Sequence, residues 1–159
     1  KLLSSHSNDL LFLIAGPVYE SQKKYFNYLN EIIKKQDLKN IYFLESKKDV
    51  RPILDIIDIY VCSSENEASP LSVWEAMSME KAIVSTDVGD VGKFIHHGTN
   101  GFIVKKGDFT SLANNIIELI KKPELRKNFG KSSRLTAKSK LDLSLCVNLH
   151  ALVYKKTLL

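Results

Sequence analysis

The chain has 159 residues, 44% of them apolar and 26% charged, which is enough for one domain with a real core and ordinary for a globular fold. No apolar run approaches the roughly 18 residues that cross a bilayer, and the opening Lys1-Leu2-Leu3-Ser4-Ser5 has no long apolar stretch of the signal-peptide kind. The formal charge of +5 admits anionic partners, but the lysines are scattered as pairs such as Lys23-Lys24 and Lys105-Lys106 without interleaved aromatics, which points away from nucleic acid.

Leu10 to Ala15 is a compact apolar run stopped by Gly16-Pro17, and it predicts a buried strand. From Ser21 to Gln36 the apolar residues Tyr25, Phe26, Leu29, Ile32 and Ile33 fall at helical intervals. Ile41 to Leu44 is a second strand. Asp49 to Asp55 is a short helical stretch with Pro52 in its first turn. Ile56 to Cys62 holds a third strand. Pro70 to Met79 predicts a helix with Ser69 as N-cap and Pro70 at the first helical position.

Ala82 to Ser85 is a fourth strand, followed by the Asp87-Val88-Gly89 turn, and Gly101 to Val104 is a fifth. Asp108 to Ile120 is a helix that Asp108 or Thr110 can cap. Pro123 opens another helix, expected to end near Gly130, and Leu141 to Tyr154 has the periodicity of a terminal helix.

Strand and helix alternate throughout, which implies an α/β fold: a Rossmann-like, doubly wound parallel sheet with helices on both faces. In such folds ligands bind beyond the carboxyl ends of the strands. The positions to inspect are therefore Gly16-Pro17, Glu45 to Lys48, Ser63 to Leu71 and Thr86 to Asp90. Cys62 and Cys146 are far apart in apolar surroundings and read as two buried thiols of a reducing compartment, so a cytoplasmic setting is expected. His96 and His97 are adjacent and followed by Gly98, a loop rather than a metal site.

The segment after the third strand stands out. Glu67 and Glu75 are eight residues apart, the first in a loop beside a helix start and the second in the helix's second turn. Backbone N–H groups around Leu71 and Ser72 could hold a phosphate, and carboxylates nearby could each accept a pair of sugar hydroxyls. Acids near a helix start are also favoured by the helix dipole alone, so the spacing by itself does not separate binding from stability.

Ser63-Ser64, the E-x7-E of Glu67 to Glu75 with Ala76-Met77 after it, Ala82 to Ser85, Asp87-Val88-Gly89, Thr99 to Val104, Asp108 and Pro123 to Arg126 stand in a fixed order. Together they resemble the donor-binding domain of the retaining GT-B glycosyltransferases of family 4 (glycosyl transferases group 1) over roughly residues 8 to 135. The resemblance implies the C-terminal half of a GT-B fold, one domain over residues 1–159 without its first strand and without the acceptor domain. It implies that Glu67, the candidate catalytic residue, contacts the transferred sugar, and that Glu75 holds the ribose hydroxyls. The backbone of Ser69, Pro70, Leu71 and Ser72 would lie along the sugar and diphosphate, Gly16 and Pro17 would flank the donor pocket, and Lys47 would lie near the base.

The implied donor is a nucleotide sugar, UDP- or GDP-linked, and the acceptor a glycan or a lipid-linked sugar. No metal and no cofactor are implied, and the isolated chain is expected to be inactive. The basic surface adds contact with the inner face of a membrane as a further expectation. The resemblance also has departures. Glu80-Lys81-Ala82 stands where the family has Gly-x-Pro, so a right-handed helix end is expected at Glu80. The family's diphosphate-neutralising Arg and Lys are expected upstream of Lys1. A nucleotide-sugar epimerase of the same fold and a non-catalytic doubly wound interaction domain are the alternatives.

Overall fold

The computed structural model describes residue 3 and residues 10–157; the rest of the opening Lys1 to Ser5 segment lies outside the described residues. The chain divides into two compact units, Lys1–Val50 and Arg51–Leu159.

In the first unit, β1 (Phe12–Ala15) pairs in parallel with β2 (Ile41–Leu44), Phe12 opposite Ile41 and Ala15 opposite Leu44. A short 3-10 turn at Glu20–Gln22 leads into α1 (Lys23–Lys35). Phe26 of α1 meets Phe43 of β2 edge to face, with ring centroids 4.9 Å apart. Leu29, Ile32 and Ile33 complete the half-buried stripe, while Tyr25, expected on it, is exposed. A two-stranded sheet with one helix has little interior, and no described residue of this unit is fully buried.

In the second unit, α2 (Arg51–Ile56) precedes β3 (Ile59–Cys62). Then follow α3 (Leu71–Ser78), β4 (Ala82–Thr86), α4 (Val91–Phe94) and β5 (Gly101–Val104). The helices α5 (Phe109–Lys121), α6 (Pro123–Lys140) and α7 (Leu143–Thr157) close the chain. The sheet order is β3-β4-β5, all parallel. β4 is buried at every position and forms the centre of the core with Val73, Met77, Leu119 and Phe102. The predicted class is observed: parallel α/β with helices on both faces.

Several boundaries differ from the sequence reading. Ile56 closes α2 rather than opening β3. The N-cap of α3 is Pro70, in extended conformation with no side-chain cap, and not Ser69. Of the two cap candidates for α5, Asp108 does the work: its carboxylate takes the Ser111 N–H at 2.9 Å and the Ser111 hydroxyl at 2.7 Å. Those bonds hold the Asp108 carboxyl below its ordinary value. Cys146 is only half-buried; Cys62 is buried, and both are free thiols.

α6 does not end at Gly130 but runs ten residues further, to Lys140. The reason lies across the fold. A Cβ at Gly130 would stand 2.2 Å from the Glu80 carbonyl oxygen, so glycine at this buried point is a packing requirement and not a stop signal.

Glu80 itself is left-handed, φ 61, against the expectation of a right-handed end. Its N–H reaches the Met77 carbonyl at 3.1 Å, and the Lys81 N–H reaches Ala76 at 3.0 Å. This is the paired-bond helix end that normally takes glycine. α1 ends the same way: Asp37 has φ 50, its N–H bonds Lys34 and the Leu38 N–H bonds Ile33. In both cases two recovered hydrogen bonds offset the steric cost of the left-handed residue.

Two outcomes follow. Glu80→Gly relieves the left-handed strain and should stabilise the second unit by about 1 kcal/mol, whereas Gly130→Ala should cost about 2 kcal/mol or more; denaturant unfolding of the two variants tests both signs. Asp108 has a depressed pKa, so its contribution is present above about pH 4, its unfolded value, and is lost as pH falls through the folded value. Asp108→Asn should therefore lose less stability on acidification than the parent, as read by thermal melts between pH 6 and pH 2.5.

Candidate functional site

Parallel strands put the carboxyl ends of β3, β4 and β5 on one edge of the second unit's sheet. The loop from Ser63 to Pro70 leaves β3 at that edge and opens α3. Val73, Trp74, Ala76 and Met77 face the core, which leaves Leu71, Ser72 and Glu75 together on the exposed face of α3. The N–H groups of Val73 and Trp74 both point to the Pro70 carbonyl. The amides of Leu71 and Ser72, the first two of the helix, thus have no acceptor within it, as at any helix start.

Glu67 is exposed in the loop, and the Ser64 hydroxyl donates to its Oε1 at 2.9 Å. The Ser64 carbonyl is held in turn by the buried Thr86, whose hydroxyl donates to it at 2.6 Å. The next link is the Asp87–Asp90 turn after β4. The Asp90 N–H donates to the Ala68 carbonyl at 2.9 Å. Gly89, φ 50, lies so close that a Cβ there would fall 2.0 Å from the Ala68 oxygen and 2.6 Å from the Glu67 oxygen. The backbone on either side of Glu67 is therefore fixed by the end of the neighbouring strand.

Tyr60 is the residue that sequence reasoning missed. It lies on β3 two positions before the buried Cys62 and on the same face. Its phenol hydrogen-bonds Ser72; burial pushes its pKa above the ordinary value despite that bond, and Cys62, Glu75 and Glu67 add to the rise. A strand tyrosine reads as core from its sequence neighbours alone; nothing there pairs it with a serine twelve residues on.

Of the proposed site residues, Glu67, Ser69, Pro70, Leu71, Ser72 and Glu75 thus belong to one loop and helix start in the second unit. Gly16, Pro17 and Lys47 belong to the first. There Gly16 and Pro17 line an open groove with Tyr25, Phe26, Phe43 and Glu45. Lys47 follows β2, exposed, and is not among the groove's lining residues. His97 accepts the Ile103 N–H at 3.2 Å through Nδ1, a structural bond. Among the described residues no group of three or more His, Cys, Asp and Glu could hold a metal ion. No described helix is long and apolar enough to cross a membrane.

The family model for glycosyl transferases group 1 matches residues 1–136. N-acetyl-alpha-D-glucosaminyl L-malate synthase of Bacillus anthracis is 33% identical over 94 residues, 59% of this chain and 25% of that protein. The capsular polysaccharide biosynthesis glycosyltransferase CapM of Staphylococcus aureus is 27% identical over 103 residues, 65% of this chain and 27% of that one. The chain therefore spans about a quarter of the length of these curated relatives. Anabaena Alr3699/HepE, solved in complex with UDP, superposes with a TM-score of 0.92 at 20% identity over 98% of this chain and 43% of that one. At that identity the likeness establishes the fold, which is that of the GT-B glycosyltransferases.

Gly89→Ala should displace the Glu67–Ala68 backbone and cost about 3 kcal/mol or more, from the left-handed φ and the overlap together. The check is amide hydrogen exchange, with the protection loss centred on the 64–75 segment as well as on the 87–90 turn.

Proposed function

The chain belongs to the glycosyl transferases group 1 family, and on that premise we propose that it is the part of a retaining, family 4 glycosyltransferase that binds the donor, a nucleoside-diphosphate sugar. The observation that carries the reading is the segment from Glu67 to Glu75. Two exposed carboxylates flank the free amides of Leu71 and Ser72 at the carboxyl edge of a parallel sheet. Glu75 accepts the two ribose hydroxyls, and the amides of Leu71 and Ser72 receive the diphosphate. Glu67 accepts hydroxyls of the sugar being transferred.

In this reading the reaction moves a hexose to an acceptor hydroxyl of a glycan or lipid-linked sugar. Negative charge grows on the leaving diphosphate, and N–H groups already in position stabilise it without reorganisation. Ser64 and Thr86 keep the Glu67 loop in place for this. Glu67 is a donor-contacting residue, and the partner that completes the site is the rest of a longer enzyme. UDP is the first choice of nucleotide, because the superposing Anabaena protein was solved with it. Relatives named for polysaccharide synthesis support a glycan acceptor. A cytoplasmic enzyme touching the membrane's inner face through its basic surface fits a lipid-linked acceptor.

Titration of the chain with UDP, GDP and ADP, followed by NMR, tests the donor assignment. One nucleotide should shift resonances from Ser64 to Glu75, and Glu75→Ala should weaken it about 10- to 100-fold, the loss of two hydrogen bonds to a charged group. Absence of any shift at millimolar nucleotide would sink the reading and favour a non-catalytic domain.

A further inference from the structure

Trp74 is the chain's one tryptophan, in the first turn of α3 and 8% exposed. Its ring stands edge to face with Phe94 of α4, centroids 5.0 Å apart and planes at 75°. Its Nε1–H donates to the Ser69 hydroxyl oxygen at 3.1 Å. A buried indole N–H needs such an acceptor. The consequence for Ser69 is the more informative one. A hydroxyl has one proton and two lone pairs, and it rotates to suit its partners. With the indole on one lone pair, rotation about Cβ–Oγ is restricted. Ser69 is exposed, and among the described residues its hydroxyl makes no hydrogen bond besides the one from the indole, so its own proton is left for a ligand of the loop.

We propose that Trp74 is a positioning residue that turns Ser69 into an oriented O–H donor for the terminal phosphate of the donor's diphosphate. The inference rests on the donor-site reading above and deepens it. Ser69 lies two residues from Glu67, on the sugar side, and six from Glu75, on the ribose side. Among the phosphates it therefore falls nearest the one that bears the sugar. Its hydroxyl joins the Leu71 and Ser72 amides as a third donor, all of one kind, which suits an acceptor-only phosphate. The restraint reaches back to the opposite wall of the loop. Phe94, which holds the indole, belongs to the helix that follows the Gly89–Asp90 turn, and that turn grips Ala68. Ala68 and Ser69 are thus fixed from two directions by one stretch of chain.

The test compares the nucleoside diphosphate found to bind in the titration above with its own monophosphate, on Ser69→Ala, Trp74→Phe and the double variant. Trp74→Phe keeps an aromatic ring against Phe94 and removes the indole N–H, together with some of the buried ring volume. The expected result is a loss of about tenfold in diphosphate affinity for Ser69→Ala and about threefold for Trp74→Phe, with monophosphate affinity unchanged. The double variant should match Ser69→Ala alone, because Trp74 acts through Ser69.

Equal losses for mono- and diphosphate would assign the pair to loop structure only and overturn the proposal. So would unchanged diphosphate binding in Ser69→Ala, or additive losses in the double variant. If Trp74→Phe melts early, Ser69→Ala alone decides, since its loss must still be confined to the diphosphate. A parent chain that binds none of the nucleotides overturns the donor reading and this inference together, whereas a parent that binds with variants that match it overturns this inference alone.

Discussion

The closest constraint in the second unit is the approach of Gly89 to the carbonyl of Ala68. No side chain fits there, and the left-handed backbone of Gly89 presents the Asp90 N–H to that same carbonyl. One strand end thereby sets the path of the loop that leaves its neighbour. Thr86, at the last position of β4, does the same three residues upstream of Glu67 by holding the Ser64 carbonyl. One anchor is the last residue of β4, the most buried strand, and the other is the turn that follows it, so the loop with the candidate carboxylates is held from the core. That is what a site needs if its donors are to be in place before charge develops.

Gly89 and Gly130 stand where backbones touch, and Asp37 and Glu80 stand where helices end. Gly130 lies inside α6 because the Glu80 carbonyl passes over it, and Glu80 takes the left-handed helix end that glycine would take more cheaply. A glycine inside a helix lowers its intrinsic propensity by roughly 1 kcal/mol. Here the close crossing of α6 over the end of α3 returns more, in the burial of Phe129 against Phe102 and in the Ser133 hydroxyl on the Asn100 carbonyl. Trp74 bonds the Ser69 hydroxyl, and Pro70 holds the N-cap position of α3.

The fold class, the parallel pairing and the placement of Glu67 in a loop and Glu75 in the second turn of a helix were all legible in the sequence. Apolar runs of four or five residues bounded by turns, alternating with helical stripes, have few other solutions. The reading failed where a residue's role depends on a partner far along the chain. Gly130 reads as a helix stop because its partner, Glu80, is fifty positions away. Ser69 has the residue type of a cap, and its bond to an indole five residues on does not show in the spacing. Tyr60 was passed over because its bond to Ser72 joins a strand to the helix beside it.

By itself, then, the sequence determined which segments are strands and helices and that the chemistry-bearing residues cluster after the third strand, since periodicity and turn residues act over a few positions. Only the tertiary structure decided which glycines are obligatory, which hydroxyls are already spoken for and what holds the Glu67 loop still. Those properties belong to distances between atoms of different elements, and a separation of 2 or 3 Å across the fold leaves no trace in local spacing.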